Sequence, residues 1–271
     1  MKPTKVITST NENTTYTHFI PLMCTAWKKL FNITPVIAVI TDKDESDPFV
    51  QSIKKHADVV LYKPIPGVVS GVQAKISRMI TATKYLDDNC MVVDLDMIPL
   101  HTKVLEMFEE APDGKFIRCG ANHYLFHIGP DDGKWPMDRT TAPGKIWKDI
   151  VNPKNLDYED LIKSWFDISY GRGYSSVNNP MDRFSDESLL RYLHTNWNNP
   201  DLTYDISRSP GPTGWSDRVD RVWEESWNFT IEDLKNGKWI DIHGFRPLQD
   251  HLSRFKVIFD YFQMSDKDIK F

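Results

Sequence analysis

Apolar and polar positions alternate in blocks over the first hundred-odd residues, and the block lengths predict a repeated strand–helix order. Lys5-Val6-Ile7-Thr8-Ser9-Thr10 reads as a first strand running into a polar loop through Asn13. From Tyr16 to Phe31 the residues Phe19, Leu22, Met23, Ala26, Trp27 and Leu30 fall on one helical face. Val36-Ile37-Ala38-Val39-Ile40 is an unbroken apolar run closed by Thr41 and Asp42, as expected of a strand buried on both faces. Pro48 to His56 suits a helix, Asp58 to Tyr62 a short strand, and Pro64-Ile65-Pro66-Gly67 a loop. Val72 to Leu86 is helical again, with Ile76, Met79, Ile80, Thr83 and Leu86 as its stripe. Cys90-Met91-Val92-Val93 is the next strand, and a helix is expected near Lys103 to Glu110. The alternation predicts an α/β fold with a mostly parallel central sheet flanked by helices.

From about Phe116 the periodic segments shorten, and Gly, Pro, Trp, Asn and Tyr become frequent. Asp131 to Pro136 and Tyr170 to Tyr174 read as loops. Seven of the nine tryptophans lie between Trp135 and Trp227, so this half can either stack aromatic rings on sugars or fill an irregular core with them. Trp239-Ile240-Asp241-Ile242 reads as a late strand. The expected organisation is one domain with two halves, residues 1–115 and 116–271.

Composition narrows the partners. With 40% hydrophobic and 26% charged residues, the chain can bury a large core. A net charge of −5 with no basic stripe argues against a nucleic-acid backbone as partner. No apolar run approaches membrane-spanning length, and no apolar leader is visible. Cys24, Cys90 and Cys119 lack paired spacing and read as reduced core thiols. A cytoplasmic protein of bacterial or viral type is expected.

The chemistry gathers where the fourth strand ends, at Asp94-Leu95-Asp96. Two carboxylates spaced i, i+2 at a strand's carboxyl end suit a hard divalent cation, or they cap the next segment. Asp42-Lys43-Asp44 and Asp266-Lys267-Asp268 have the same spacing but polar surroundings, and read as solvated turns. No GxGxxG or GxxxxGK[ST] phosphate loop is present, so phosphates would be held by a cation. Ser185-Asp186-Glu187 opens a helix with Leu189, Leu190 and Leu193 behind it. The two acids there either complement the helix dipole or act at a site. Gly244, after His243, is expected to permit an unusual backbone.

In this order of motifs the chain resembles nucleotide-sugar-dependent glycosyltransferases of the GT-A fold, and within them the glycogenin-like, family 8-like enzymes. The likeness rests on Val6-Ile7-Thr8-Ser9-Thr10-Asn11, Arg78, Asp94-Leu95-Asp96, Ser185 to Leu190, and His243-Gly244-Phe245-Arg246-Pro247. It implies a Rossmann-like GT-A domain, with a nucleotide-sugar half followed by an irregular acceptor half. It implies Mn²⁺ (or Mg²⁺) on Asp94, Asp96 and His243, and a UDP- or GDP-sugar donor. Thr8, Asn11 and Tyr16 would hold base and ribose, and Asp42 either accepts from a base N–H or is a turn residue. Arg78, with Lys75 as competitor, and Arg246 would reach the donor, and Asp186 and Glu187 would act at the sugar or acceptor. The acceptor would be a glycan, protein or other hydroxyl. Three alternatives stay open: a sugar-nucleotide-forming nucleotidyltransferase, a haloacid-dehalogenase-like phosphatase, and a non-catalytic glycan- or nucleotide-binding protein.

Overall fold

Strands β1 (Lys5–Asn11), β2 (Val36–Ile40), β3 (Asp58–Tyr62) and β4 (Asn89–Val92) run parallel, with Ile7 beside Val36 and Val6 beside Met91. This is a computed structural model, and it describes residues 1–119, 135, 137–171, 185–206 and 217–269, without the side chains of 166–171, 185 and 266. A short β5 (Met97–Pro99) follows. The second half then adds β6 (Phe116–Cys119), β7 (Thr140–Pro143) and β8 (Thr203–Ile206) to the same sheet. The order is β3-β2-β1-β4-β7-β6-β8, with only β7 antiparallel to its neighbours. Two last strands, β9 (Arg218–Asp220) and β10 (Asp241–His243), make a small second sheet with β5, in the order β5-β10-β9.

Strand periodicity sorts the core into two layers. Val6, Ile37, Val39, Met91 and Ile117 face one core, which includes α2 (Ile20–Phe31). Ile7, Val36, Cys90, Val92 and Phe116 face the other, which includes α4 (Ser70–Ala82). The α/β sheet flanked by helices is therefore a direct reading of the two-residue alternation.

The helices differ from expectation at their ends. The segment from Tyr16 splits into α1 (Thr14–Thr17) and α2, and Pro21 sits in α2's first turn, where its missing N–H costs nothing. After them come α3 (Pro48–Lys54) and α4, which ends four residues short of Leu86 in a turn leading into β4. The segment at Thr102–Phe108 is a 3-10 helix. Downstream lie α5 (Gly144–Val151), α6 (Tyr158–Gly171), α7 (Ser185–Trp197), α8 (Ile231–Lys235), α9 (Leu252–Tyr261) and α10 (Asp266–Ile269). Tyr170 and Gly171 close α6 rather than opening a loop, and residues 172–174 lie outside the described residues. So do 131–134 and 136 of the other expected loop, and the side chain of Ser185. Among the described residues no helix is long and apolar enough to cross a membrane. The three cysteines are buried free thiols.

Candidate active site

The Asp94-Leu95-Asp96 segment is the junction between the two sheets. The Val93 amide still donates to Ile7 O beside β1, and the Met97 amide then closes a turn onto Asp94 O at 3.1 Å. The chain leaves that turn as β5. Strand β10 pairs antiparallel with β5, placing His243 beside Met97, and the Gly244 amide donates to Asp96 O at 2.9 Å. Register thus carries His243 to Asp96 across nearly 150 residues of sequence. Strand β9 pairs parallel with β10 and places Asp220 beside His243.

Gly244 is needed for a reason other than the expected one. Its backbone is ordinary, but an added Cβ would stand 2.6 Å from the Phe19 ring and 3.1 Å from that of Phe255. Close packing, rather than backbone freedom, selects glycine there.

Asp96 is buried, and its Oδ2 is the focus of three cationic or ring nitrogens. Arg221 Nη1 donates to it at 2.6 Å, Arg246 Nε lies at 3.2 Å and His243 Nε2 at 3.6 Å. On its other side, His243 Nδ1 lies 3.3 Å from Asp220 Oδ2, and a carboxylate only accepts, so Nδ1 carries a proton. Asp220 Oδ1 accepts from the Val222 amide at 3.0 Å. Burial pushes the Asp220 carboxyl up, but the His243 ring, the Val222 amide and Arg218 hold it below the usual carboxylate range.

Arg78 forms the second focus. Its side chain enters from α4, donates to Val93 O at 2.9 Å, grips the Asp94 carboxylate and reaches Asp186 Oδ2 at 2.5 Å. Burial opposes the guanidinium charge, but Asp94 and Asp186 overcome it and raise its pKa. Asp186 comes from the first turn of α7 and is buried, and Glu187 follows it half-buried. Tyr16 of α1 closes the pocket, its hydroxyl accepting from Arg246 and its ring lying 5.0 Å beneath that guanidinium. Burial pushes the Tyr16 phenol up, Arg246 opposes, and Asp96 and Asp94 add to the rise.

The remaining predicted residues are more dispersed. Asn11 ends β1 and donates to Ser70 Oγ at 3.0 Å, at the head of α4. Asp42, beyond the end of β2, is exposed, and Thr8 is buried within β1. Parallel register puts Asn11, Asp42 and the Asp94–Asp96 turn at one carboxyl edge of the sheet, where open α/β folds bind ligands. Sequence reasoning missed Arg221 and Asp220. The signal available was weak: an Asp-Arg pair closing a short alternating segment, with no local clue that it lies beside His243.

Below this pocket a second charge cluster joins the sheets. Arg139 donates to Asp138 Oδ2 at 2.6 Å and to Asp241, and Arg218 donates to Asp241 Oδ2 at 3.0 Å and Asp138 Oδ2 at 3.1 Å. Arg139, Arg218 and Asp241 are buried, and the Arg139 amide donates to Val92 O of β4 at 2.8 Å. Arg139 adopts φ 62, a left-handed conformation that a non-glycine residue keeps only when its surroundings require it.

The donor set can be tested against a divalent cation. Among the described residues no three histidine, cysteine or acidic side chains stand together as a ready-made cluster, because Asp94 faces Arg78 and Asp96 faces Arg221 and Arg246. The donor types are those a hard cation takes. Two ligands at right angles on a small octahedral ion stand about 3 Å apart, and Asp96 Oδ2 and His243 Nε2 are separated by 3.6 Å. Asp94 adds a second oxygen donor two residues away.

No sequence-family model matches the chain, and no curated protein sequence does. Among solved structures, the glycosyltransferase GlyE of Streptococcus pneumoniae TIGR4 aligns over 99% of this chain with 13% identity and a TM-score of 0.49. The chain spans 62% of GlyE. The galactosyltransferase LgtC, solved with donor and acceptor sugar analogues, aligns over 88% of this chain and 86% of its own, with 9% identity and a TM-score of 0.46. The mannosyltransferase PcManGT of Pyrobaculum calidifontis, solved with GDP-Man and Mn²⁺, covers 80% of this chain and 59% of its own, with 11% identity and a TM-score of 0.40.

Proposed function

We propose that the chain is a metal-dependent glycosyltransferase that moves a sugar from a UDP- or GDP-sugar to a hydroxyl acceptor. What supports this reading is the approach of His243 to Asp96 at a sheet edge, with Asp94 two residues earlier in the same turn and Arg78, Arg221 and Arg246 on the two carboxylates. Asp94, Asp96 and His243 Nε2 would hold Mn²⁺ or Mg²⁺. The bound cation would supply charge neutralisation of the departing nucleoside diphosphate. Arg246 and Arg221 would bind the same diphosphate, and Tyr16 would orient Arg246 through their contact. Asp220 would hold the Nδ1 proton of His243, leaving Nε2 to a cation. Asn11 and Thr8 of β1, with Asp42 beyond the end of β2, belong to the nucleoside side. Residues 1–115 would be the donor half and 116–271 the acceptor half. The buried free thiols suit a reducing, cytoplasmic compartment.

Asp186 and Glu187 take different parts in this reading. Asp186 is committed to Arg78, so the pair forms a rigid donor-sugar wall. Glu187 is assigned to the acceptor side, where a carboxylate accepts the hydroxyl proton or stabilises positive charge on the sugar. The Arg78 contact also weighs against the phosphatase alternative, because a carboxylate gripped by a buried guanidinium is a poor nucleophile.

The test is a thermal-shift screen of UDP-, GDP- and CDP-sugars with and without Mn²⁺, on the wild type and Asp96→Ala. Ligand that binds only the folded state at about 100 times its Kd stabilises by about 2.7 kcal/mol. A Mn²⁺-dependent rise with one nucleotide class, abolished in Asp96→Ala, is expected. Equal shifts in wild type and variant, or none with any sugar nucleotide, would refute the proposal.

A further inference from the structure

Three polar atoms of the lower cluster and its surroundings are buried without a partner among the described residues: Trp27 Nε1, Arg139 Nη1 and Asp138 Oδ1. Trp27 lies on the buried face of α2, 1% exposed, with its ring 5.1 Å from that of Phe31. A buried indole N–H ordinarily finds an acceptor. Arg139 is 3% exposed and commits Nε and Nη2 to Asp138 and Asp241, which leaves Nη1. The guanidinium bonds that reach Asp138 arrive at Oδ2, from Arg139 at 2.6 and 3.0 Å and from Arg218 at 3.1 Å, which leaves Oδ1. All three side chains line one small cavity, whose wall also takes in Val93, Met97 and Asp241.

We propose that this cavity is the binding site of one structural water, which accepts from Trp27 Nε1 and Arg139 Nη1 and donates to Asp138 Oδ1. Size agrees. The cavity opens about 10 Å³ to a water-sized sphere, and one buried water needs roughly 10–15 Å³ on that measure and makes about three hydrogen bonds. Charge selects the ligand. Two aspartates and two arginines already balance, so the cluster calls for no ion. An anion would face a carboxylate oxygen, a cation would face two N–H donors, and an apolar group would satisfy none of the three atoms. A small neutral molecule that both accepts and donates satisfies them all, and at this size that molecule is water.

Position gives the water a task. Trp27 belongs to α2, while Val93 immediately precedes Asp94 and Met97 immediately follows Asp96. The Arg139 amide is bonded to Val92 O at 2.8 Å. One water therefore ties α2 to the arginine–aspartate cluster beside the turn that carries both candidate carboxylates. The site does not depend on the reaction proposed above it.

The test reads the wild-type protein in two ways. In a high-resolution crystal structure, a single density peak should lie within hydrogen-bond distance, about 2.7–3.2 Å, of all three atoms. In solution, the Trp27 indole N–H, assigned through the Trp27 backbone, should give a nuclear Overhauser cross-peak to water. Its sign should match that of the protein's own proton pairs, because a structural water stays bound for longer than the molecule takes to tumble. Failure of either measurement overturns the proposal. So does a crystal structure in which Trp27 Nε1 donates directly to Asp138 or to another protein group, or in which the peak is an ion. Sugar-nucleotide binding is read separately, by the thermal-shift screen, so the two conclusions fail independently.

Discussion

The two charge clusters stand on the same two strands, two residues apart. At one end of β9 and β10, Arg218 pairs with Asp241 in register, and at the other Asp220 pairs with His243. The lower cluster is closed: Arg139, Arg218, Asp138 and Asp241 pair with one another between the sheets. The upper one is open: its arginines reach a buried carboxylate from half-exposed positions. Residue type is shared, so what separates scaffold from site is burial and the presence of an exchangeable partner. A buried pair that cannot change partners fixes geometry; the same chemistry at a sheet edge can accept a ligand.

The sharpest way to break this comparison is Asp241→Ala. It removes a carboxylate that two buried guanidiniums share and should cost about 3–5 kcal/mol, read from urea unfolding. A loss below about 1 kcal/mol would mean that the lower cluster is not the pin between the sheets. Next comes Asp220→Asn. Asparagine has one oxygen, and the Val222 amide claims it, so its NH₂ group turns to His243 Nδ1 and forces the proton onto Nε2. We expect a 15N shift pattern of the opposite tautomer and Mn²⁺ affinity lowered by about 10–100-fold. An unchanged tautomer with unchanged affinity would remove Asp220 from the site.

The smallest effect concerns a histidine in closed surroundings. His194 lies among the rings of Phe116, Trp135 and Trp197. Burial, with Arg118 nearby and Asp205 opposing, pulls its pKa down to about 4. The unfolded chain therefore binds a proton that the folded chain refuses. The resulting stability is complete above the ordinary histidine value of about 6.5 and is lost progressively as pH falls toward 4. Replacing His194 with Gln should flatten that part of a urea-midpoint profile. A profile as steep in the variant as in the wild type would place the acid sensitivity elsewhere.

Much of the sheet was legible, because Val36–Ile40 and Cys90–Val93 are buried on both faces and advertise it as unbroken apolar runs. Asp94 and Asp96 were legible for the same reason: they interrupt such a run. Helix ends were read less well. Leu86 continues the stripe of α4, yet the chain must turn at Tyr85–Asp88 to enter β4, and that demand overrides local periodicity. Arg221 was invisible because nothing near residue 221 records that β9 lies beside β10.

By itself the sequence determined the α/β order, the two-faced core and the position of the paired aspartates, since each is written in spacing a few residues long. Only the tertiary structure decided which distant groups meet those aspartates. Pairing of β5 with β10 and of β10 with β9 brings His243, Asp220 and Arg221 to Asp96, and the register of strands distant in sequence depends on packing that no local pattern encodes.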